Sequence, residues 1–169
     1  MYRDGYGIPQ DDKEAVRLYR LSAKQEYPEA QANLGTMYYN GHGVQEDKKE
    51  AAKWYRLAAE QGYAKAQYLL GAIYSFGVGV TQDYKQAVRW FRLSAEQGNA
   101  KAQLGMGHKY SNGEGVLQDY VLAHMWYNLS SSNGNETALK FRNRIAKKMT
   151  SSQIEKAQEM ARNWKPKAK

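Results

Sequence analysis

The chain has 169 residues, 42% of them hydrophobic, with three Pro and no Cys. That suits one globular domain or one array of repeats, and it excludes disulfides, thiolate metal sites and a cysteine nucleophile. Residues 1–133 hold 15 Lys and Arg against 14 Asp and Glu, whereas residues 134–169 hold 10 against 3, so the net charge of +8 belongs to the C-terminal end and not to a nucleic-acid groove along the body. No run of about 18 apolar residues is present that could cross a membrane as a helix.

Met1-Tyr2 align with Met37-Tyr38, near the end of a helix, so the sequence begins inside a unit whose first half is missing. It reads as a fragment or as a domain cut from something longer. The glycine pair Gly5/Gly7 leads to Asp11-x-x-Glu14, which reads as a capping box opening a second helix. Glu26 stands where later units place glycine, and Pro28 is suited to the first turn of the next helix. A positive φ is expected at Glu26.

From there the chain repeats itself every 36 residues. Ala30-Gln31, Leu34-Gly35 and Tyr38 return as Ala66-Gln67, Leu70-Gly71 and Tyr74, then as Ala102-Gln103, Met106-Gly107 and Tyr110. These residues predict a first helix over 29–40, 65–76 and 101–112, apolar on one face at helical spacing. Gly35, Gly71 and Gly107 lie mid-helix, where glycine costs about 1 kcal/mol, so a neighbouring helix should approach closely there. The pairs Gly41/Gly43, Gly77/Gly79 and Gly113/Gly115 turn the chain. Asp47, Asp83 and Asp119 then cap a second helix, with box partners Glu50 and Gln86 and none at Leu122. Trp54, Trp90 and Trp126 form a core stripe, and Gly62 and Gly98 end the helices. The pattern dissolves after Gly134. Ile145, Met149 and Ile154 carry the last apolar face, and Thr150 or Ser152 caps a final helix ending near Trp164.

No single unit can bury its own apolar face, whereas stacked pairs can. The fold class expected is therefore all-α: an α-solenoid of antiparallel helix pairs in 36-residue repeats. The expected organisation is a truncated repeat over 1–28, repeats over 29–64, 65–100 and 101–136, capping helices over 137–164 and a basic tail over 165–169. The stretch "AQANLGTMYYNGHGVQEDKKEAAKWYRLAAEQG" resembles the Sel-one-like repeat, a relative of the tetratricopeptide repeat common in bacteria. The resemblance covers nearly the whole chain. It implies a right-handed superhelix, a bacterial and often exported adaptor, and a concave surface lined by the first helix of each unit. Leu18 in place of Trp, Glu26 in place of Gly and Gly105 as an extra glycine are departures from the pattern.

Where the units disagree, their residues are free for something other than the fold. The disagreements fall at Glu29, Ala32, Thr36, Tyr39 and Asn40, at Lys65, Tyr68, Ala72, Ser75 and Phe76, and at Lys101, Leu104, His108, Ser111 and Asn112. At about 100° per residue each set spans an arc of roughly 100°, opposite Ala30, Leu34 and Tyr38. By the resemblance these residues face one groove. Tyr39, Tyr68, Phe76 and Leu104 would offer apolar contact, the Asn and Ser residues would bond a peptide backbone, and Lys65 and Lys101 would attract a carboxylate.

Catalytic chemistry is not evident. His42, His108 and His124 have no metal-ligand spacing, and His124 reads as a surface residue. The G-x-G-V turns lack the elements of a phosphate loop, and no nucleophile motif occurs. The reading is a non-catalytic interaction scaffold that holds a peptide or another protein, without cofactor, metal or nucleic acid. The alternatives are a cell-wall or β-lactam hydrolase or binder, as in Cys-rich relatives, and binding of an acidic surface or nucleic acid through the basic end. Ala15, Leu18 and Tyr19 of the truncated first unit could also support self-association.

Overall fold

The structure, a computed structural model, describes residues 11–167. Met1-Tyr2 and the Gly5/Gly7 pair lie outside the described residues. Among the described residues there are nine helices and no strands: α1 (Asp12–Lys24), α2 (Pro28–Asn40), α3 (Lys48–Glu60), α4 (Ala64–Phe76), α5 (Tyr84–Glu96), α6 (Ala100–Asn112), α7 (Tyr120–Ser132), α8 (Glu136–Ala146) and α9 (Ser151–Asn163). The first helix of each unit begins one residue earlier than the sequence pattern suggests. The contacts divide the chain after Gln82 into two compact units.

In unit 1, α2 packs on α1 and α3, and α3 packs on α4. Val16, Leu34 and Met37 form a buried cluster with Ala15, Ala23 and Ala30, flanked by Tyr19, Tyr38 and Trp54. In unit 2, α6 packs on α5 and α7, while α8 and α9 both pack on α7. Here Ala123, Tyr127 and Ile145 are buried beside Leu104, Tyr110, Phe141 and Met149. Gly35 in α2 and Gly107 in α6 make room for an aromatic ring. A Cβ on Gly35 would lie 2.9 Å from Tyr55, and one on Gly107 would lie 2.4 Å from Tyr127.

The aspartates cap as expected: Asp11, Asp47, Asp83 and Asp119 each accept from backbone N–H groups in the first turn. The reciprocal half of the box differs from the sequence reading at two positions. The Glu14 carboxylate takes Arg17 as its partner at 2.6 Å, and Glu50 takes Lys53 at 2.8 Å. A basic residue three positions on offers a charged donor, and a charged hydrogen bond outcompetes a neutral one. Among the described residues a full capping box forms at Thr150 and Gln153, where the neutral Gln153 side chain forms no ion pair with Lys156 three positions on and accepts from the Thr150 N–H at 2.9 Å.

The Gln of each Ala-Gln pair also has a physical role. Gln67 Nε2 donates to the Ala59 carbonyl at 3.1 Å, and Gln103 Nε2 donates to the Ala95 carbonyl at 3.3 Å. Each buried amide thereby adds a second donor to a carbonyl near the end of the preceding helix, beside the N–H of Gly62 or Gly98.

All four helix ends at 25–27, 61–63, 97–99 and 133–135 close with the same pair of backbone bonds, such as Tyr63 N–H to Ala58 O at 3.1 Å and Gly62 N–H to Ala59 O at 3.0 Å. The residue in the left-handed position is Gly62, Gly98 or Gly134, with φ of 85–86°, or Glu26, with φ 62°. An L-residue there costs about 1–2 kcal/mol. Glu26→Gly is therefore expected to stabilise the chain by about 1 kcal/mol, reduced somewhat by the greater freedom of the unfolded glycine chain. Paired urea titrations of wild type and variant check this, and a lower midpoint for the variant contradicts it.

Candidate binding clefts

In unit 1 a cleft of about 440 Å³ opens between α2 and α4, with Tyr55 of α3 at its base. Of the candidate residues on these two helices, Thr36, Tyr39, Asn40, Lys65, Tyr68, Ala72 and Phe76 line it. Tyr55 is buried, and its hydroxyl lies 3.1 Å from Thr36 Oγ, which itself donates to the Ala32 carbonyl at 3.0 Å. Burial raises the pKa of Tyr55, opposed by the Thr36 hydrogen bond, and burial alone raises that of Tyr68. Both phenols stay neutral, and that of Tyr55 donates to Thr36 Oγ. Lys48 Nζ sits 3.9 Å from the Tyr39 ring centroid and donates to the Tyr39 carbonyl, which fixes that wall of the cleft. Phe76 is 76% exposed at the mouth, and Lys65 and Asn40 are exposed lining residues.

Three unit 1 positions fall elsewhere. Glu29 is exposed but does not line the cleft. Ala32 is buried, and its carbonyl anchors Thr36. Ser75 is buried rather than presented to solvent. Its side chain is short, and Gln82 Nε2 donates to its carbonyl at 2.8 Å, folding the loop end back over it.

Unit 2 places the equivalent residues differently. His108 occupies the position of Thr36 and is likewise tied to the buried tyrosine, its Nδ1 lying 3.0 Å from the Tyr127 hydroxyl. Phe141 of α8 stands edge-on to His108, with centroids 4.4 Å apart, and stacks on Tyr127 at 5.7 Å. Leu104 packs into the same cluster. Leu104 and His108 are thus packing residues here. Burial lowers the pKa of His108, reinforced by the charge of Lys109 and opposed by Glu114. Burial pushes that of Tyr127 up to about 12, against a Ser111 hydrogen bond and the charge of Arg144. Lys101 and Asn112 are exposed, and Asn112 Nδ2 donates to Glu114 at 3.0 Å.

His124 is not a surface residue: it is 2% exposed. It aligns with Ala52 and Val88, 72 and 36 residues earlier, and both are buried as well, while α9 lies against α7 and brings Trp164 to 6.3 Å from Trp126. Burial lowers the pKa of His124, with Arg142 adding to the effect, so the ring stays neutral. Its Nδ1 has no hydrogen-bond partner among the described residues. The repeat register carried this signal, because the counterparts of His124 in the earlier units are the apolar Val88 and Ala52. Among the described residues, no group of three His, Cys, Asp or Glu is placed to hold a metal, and no helix is long and apolar enough to cross a membrane.

The sequence model of the Sel1 repeat matches residues 1–27, 28–63, 64–99 and 100–135. Among solved structures, a Sel1 repeat protein from Oxalobacter formigenes is 34% identical, with a TM-score of 0.82 over 96% of this chain and 68% of that one. A protective antigen of uropathogenic Escherichia coli with an SLR fold is 33% identical, covering 95% of this chain and 43% of its own, at a TM-score of 0.48. No curated protein is similar enough to count as a match.

Proposed function

We propose, since this chain belongs to the Sel1 repeat family and has its all-α solenoid fold, that it is an adaptor whose unit 1 cleft holds a segment of a partner protein. Proteins of this family are generally protein-interaction scaffolds and are typically non-catalytic. The observation that carries the reading is Phe76, a large aromatic side chain left 76% exposed at the mouth of a cleft walled by Tyr39 and Tyr68. Exposed aromatics beside a concave, partly apolar surface are what binding sites use. Lys65 supplies a cation at the rim, and Asn40 supplies both a donor and an acceptor for a peptide backbone.

Phe76→Ser/Lys65→Glu tests this. Both side chains are exposed, so the variant should keep its helical circular dichroism and its melting temperature. Wild type and variant are immobilised, exposed to lysate of the source organism, and their bound proteins identified by mass spectrometry. The expected result is one or more proteins retained by the wild type and lost by the variant. Equal retention by both would remove the cleft from the account.

A further inference from the structure

The unit 2 counterpart of the cleft is open to the same comparison, residue by residue, because the repeat period doubles to 72. Tyr68, Ala72 and Phe76 become Lys140, Arg144 and Lys148. An aromatic wall is replaced by a cationic one. Lys140 and Arg144 are exposed on α8, and Lys148 is exposed in the turn that follows it. The basic row therefore runs along one exposed face of α8 and the turn after it. The Arg144 guanidinium lies 5.5 Å from the Phe141 ring centroid, and the Lys148 ammonium lies 5.6 Å from that of Tyr120. Among the described residues none of the three cations forms an ion pair, unlike Lys53, Lys109 and Lys167.

We propose that this exposed row of Lys140, Arg144 and Lys148 binds an extended acidic peptide segment. Charge complementarity sets the sign of the ligand: three unneutralised cations stand together, and their field steers and holds carboxylates. Spacing favours an extended chain. Lys140 and Arg144 are four residues apart, about 6 Å along the helix axis. Alternate side chains of an extended peptide repeat about every 6.6 Å on one face. Arg144 offers a fork for a bidentate carboxylate contact. Single-stranded nucleic acid fits less well, because it needs free aromatic faces on which bases stack. Phe141 is already stacked on Tyr127, edge-on to His108 and covered by Arg144.

The test uses the full chain and a fluorescein-labelled twelve-residue peptide of alternating Asp and Ser, read by anisotropy. Lys140→Gln/Arg144→Gln/Lys148→Gln removes the row. Lys13→Gln/Lys24→Gln/Lys49→Gln removes the same charge from exposed positions of unit 1 and serves as the control. The expected result is binding by the wild type that weakens at least tenfold in the first variant and less than twofold in the control, with both variants still helical. Phe76→Ser/Lys65→Glu should bind this peptide as the wild type does, which separates this site from the unit 1 cleft. A dodecathymidylate probe and vesicles containing phosphatidylserine are run in parallel. Equal loss in both triple variants, no binding to the wild type, or tighter binding of the oligonucleotide or the vesicles would each overturn the proposal.

Discussion

Glu114→Val is expected to destabilise the chain by on the order of 3 kcal/mol, and adding Lys109→Ile is expected to recover that loss. Lys109 stands at the position of Met37 and Ile73, both core residues, and is itself only 4% exposed. Its ammonium lies 2.5 Å from Glu114 and 4.4 Å from the centroid of the Tyr84 ring. Removing the carboxylate leaves a charge in a site shaped for an apolar side chain. The double variant installs the pair used one repeat earlier, Ile73 and Val78, and well-packed apolar residues replace buried ion pairs at little or no loss. Urea denaturation of the wild type and the two variants checks this. A loss below about 1 kcal/mol in Glu114→Val would mean that Lys109 escapes to water along its flexible stem.

Acid adds a second readout to the same variants. Burial acts to raise the pKa of Glu114, but hydrogen bonds from Lys109 and Asn112 and the charges of Lys109 and His108 outweigh it, so the folded value lies below the ordinary one. The unfolded state then binds the proton more readily. The pair's contribution is complete above the unfolded value, near pH 4.5, and is lost as pH falls through the folded value. The Ile/Val double variant should lack this part of the acid sensitivity.

Gly115→Ala is expected to cost about 3 kcal/mol, and Gly113→Ala, two residues away, only about 1 kcal/mol. Both glycines have positive φ, 72° and 74°, so both substitutions carry the left-handed penalty. They differ in what the new methyl group meets. At Gly113 the nearest atom is Cβ of Gln118 at 3.4 Å, an ordinary contact. At Gly115 a Cβ would lie 2.4 Å from the carbonyl oxygen of Tyr84. That atom belongs to the first turn of α5, and a backbone carbonyl cannot swing aside as a side chain can. The same asymmetry recurs in unit 1, where Gly43 meets the Asp12 carbonyl at 2.2 Å while Gly41 is 3.3 Å from Glu46. The second glycine of each loop is thus where one repeat seats on the start of the previous second helix. Thermal melts of the two single variants distinguish the cases, and equal losses would show that φ alone sets the cost.

The features legible in the sequence are those decided within one unit or between consecutive helices. Asp47 announces a helix start because its carboxylate needs only the backbone three residues on, at 2.9 Å. Glu26 announces a positive φ because three glycines stand in its place elsewhere, and the angle is set by the helix end itself. Gly35 announces a close approach because Tyr55, the ring it admits, lies only 20 residues away in the same repeat pattern. Periodicity alone therefore reached the helices, their caps and much of their buried face.

What sequence comparison could not reach depends on which element lies across from a side chain. His108 and Thr36 are equivalent in sequence, yet one faces Phe141 and the other an open cleft. Met125 sits at the position of the exposed Lys53 and Arg89 and is buried, on a helix against which α9 packs. Ser75 looks like any solvent-facing serine until Gln82 folds back onto its carbonyl. Lys109 reads as a charged residue on a helix, and only the packed structure seats it in the core beside Glu114. In the sequence the cationic row of α8 is one part of a basic end. Its place beside Phe141, which stacks on Tyr127, follows from how α8 packs on α7. The reason is common to all of these. The period of the sequence fixes where a side chain points relative to its own helix, while burial and charge environment are set by residues far away in the chain, whose placement no local pattern encodes.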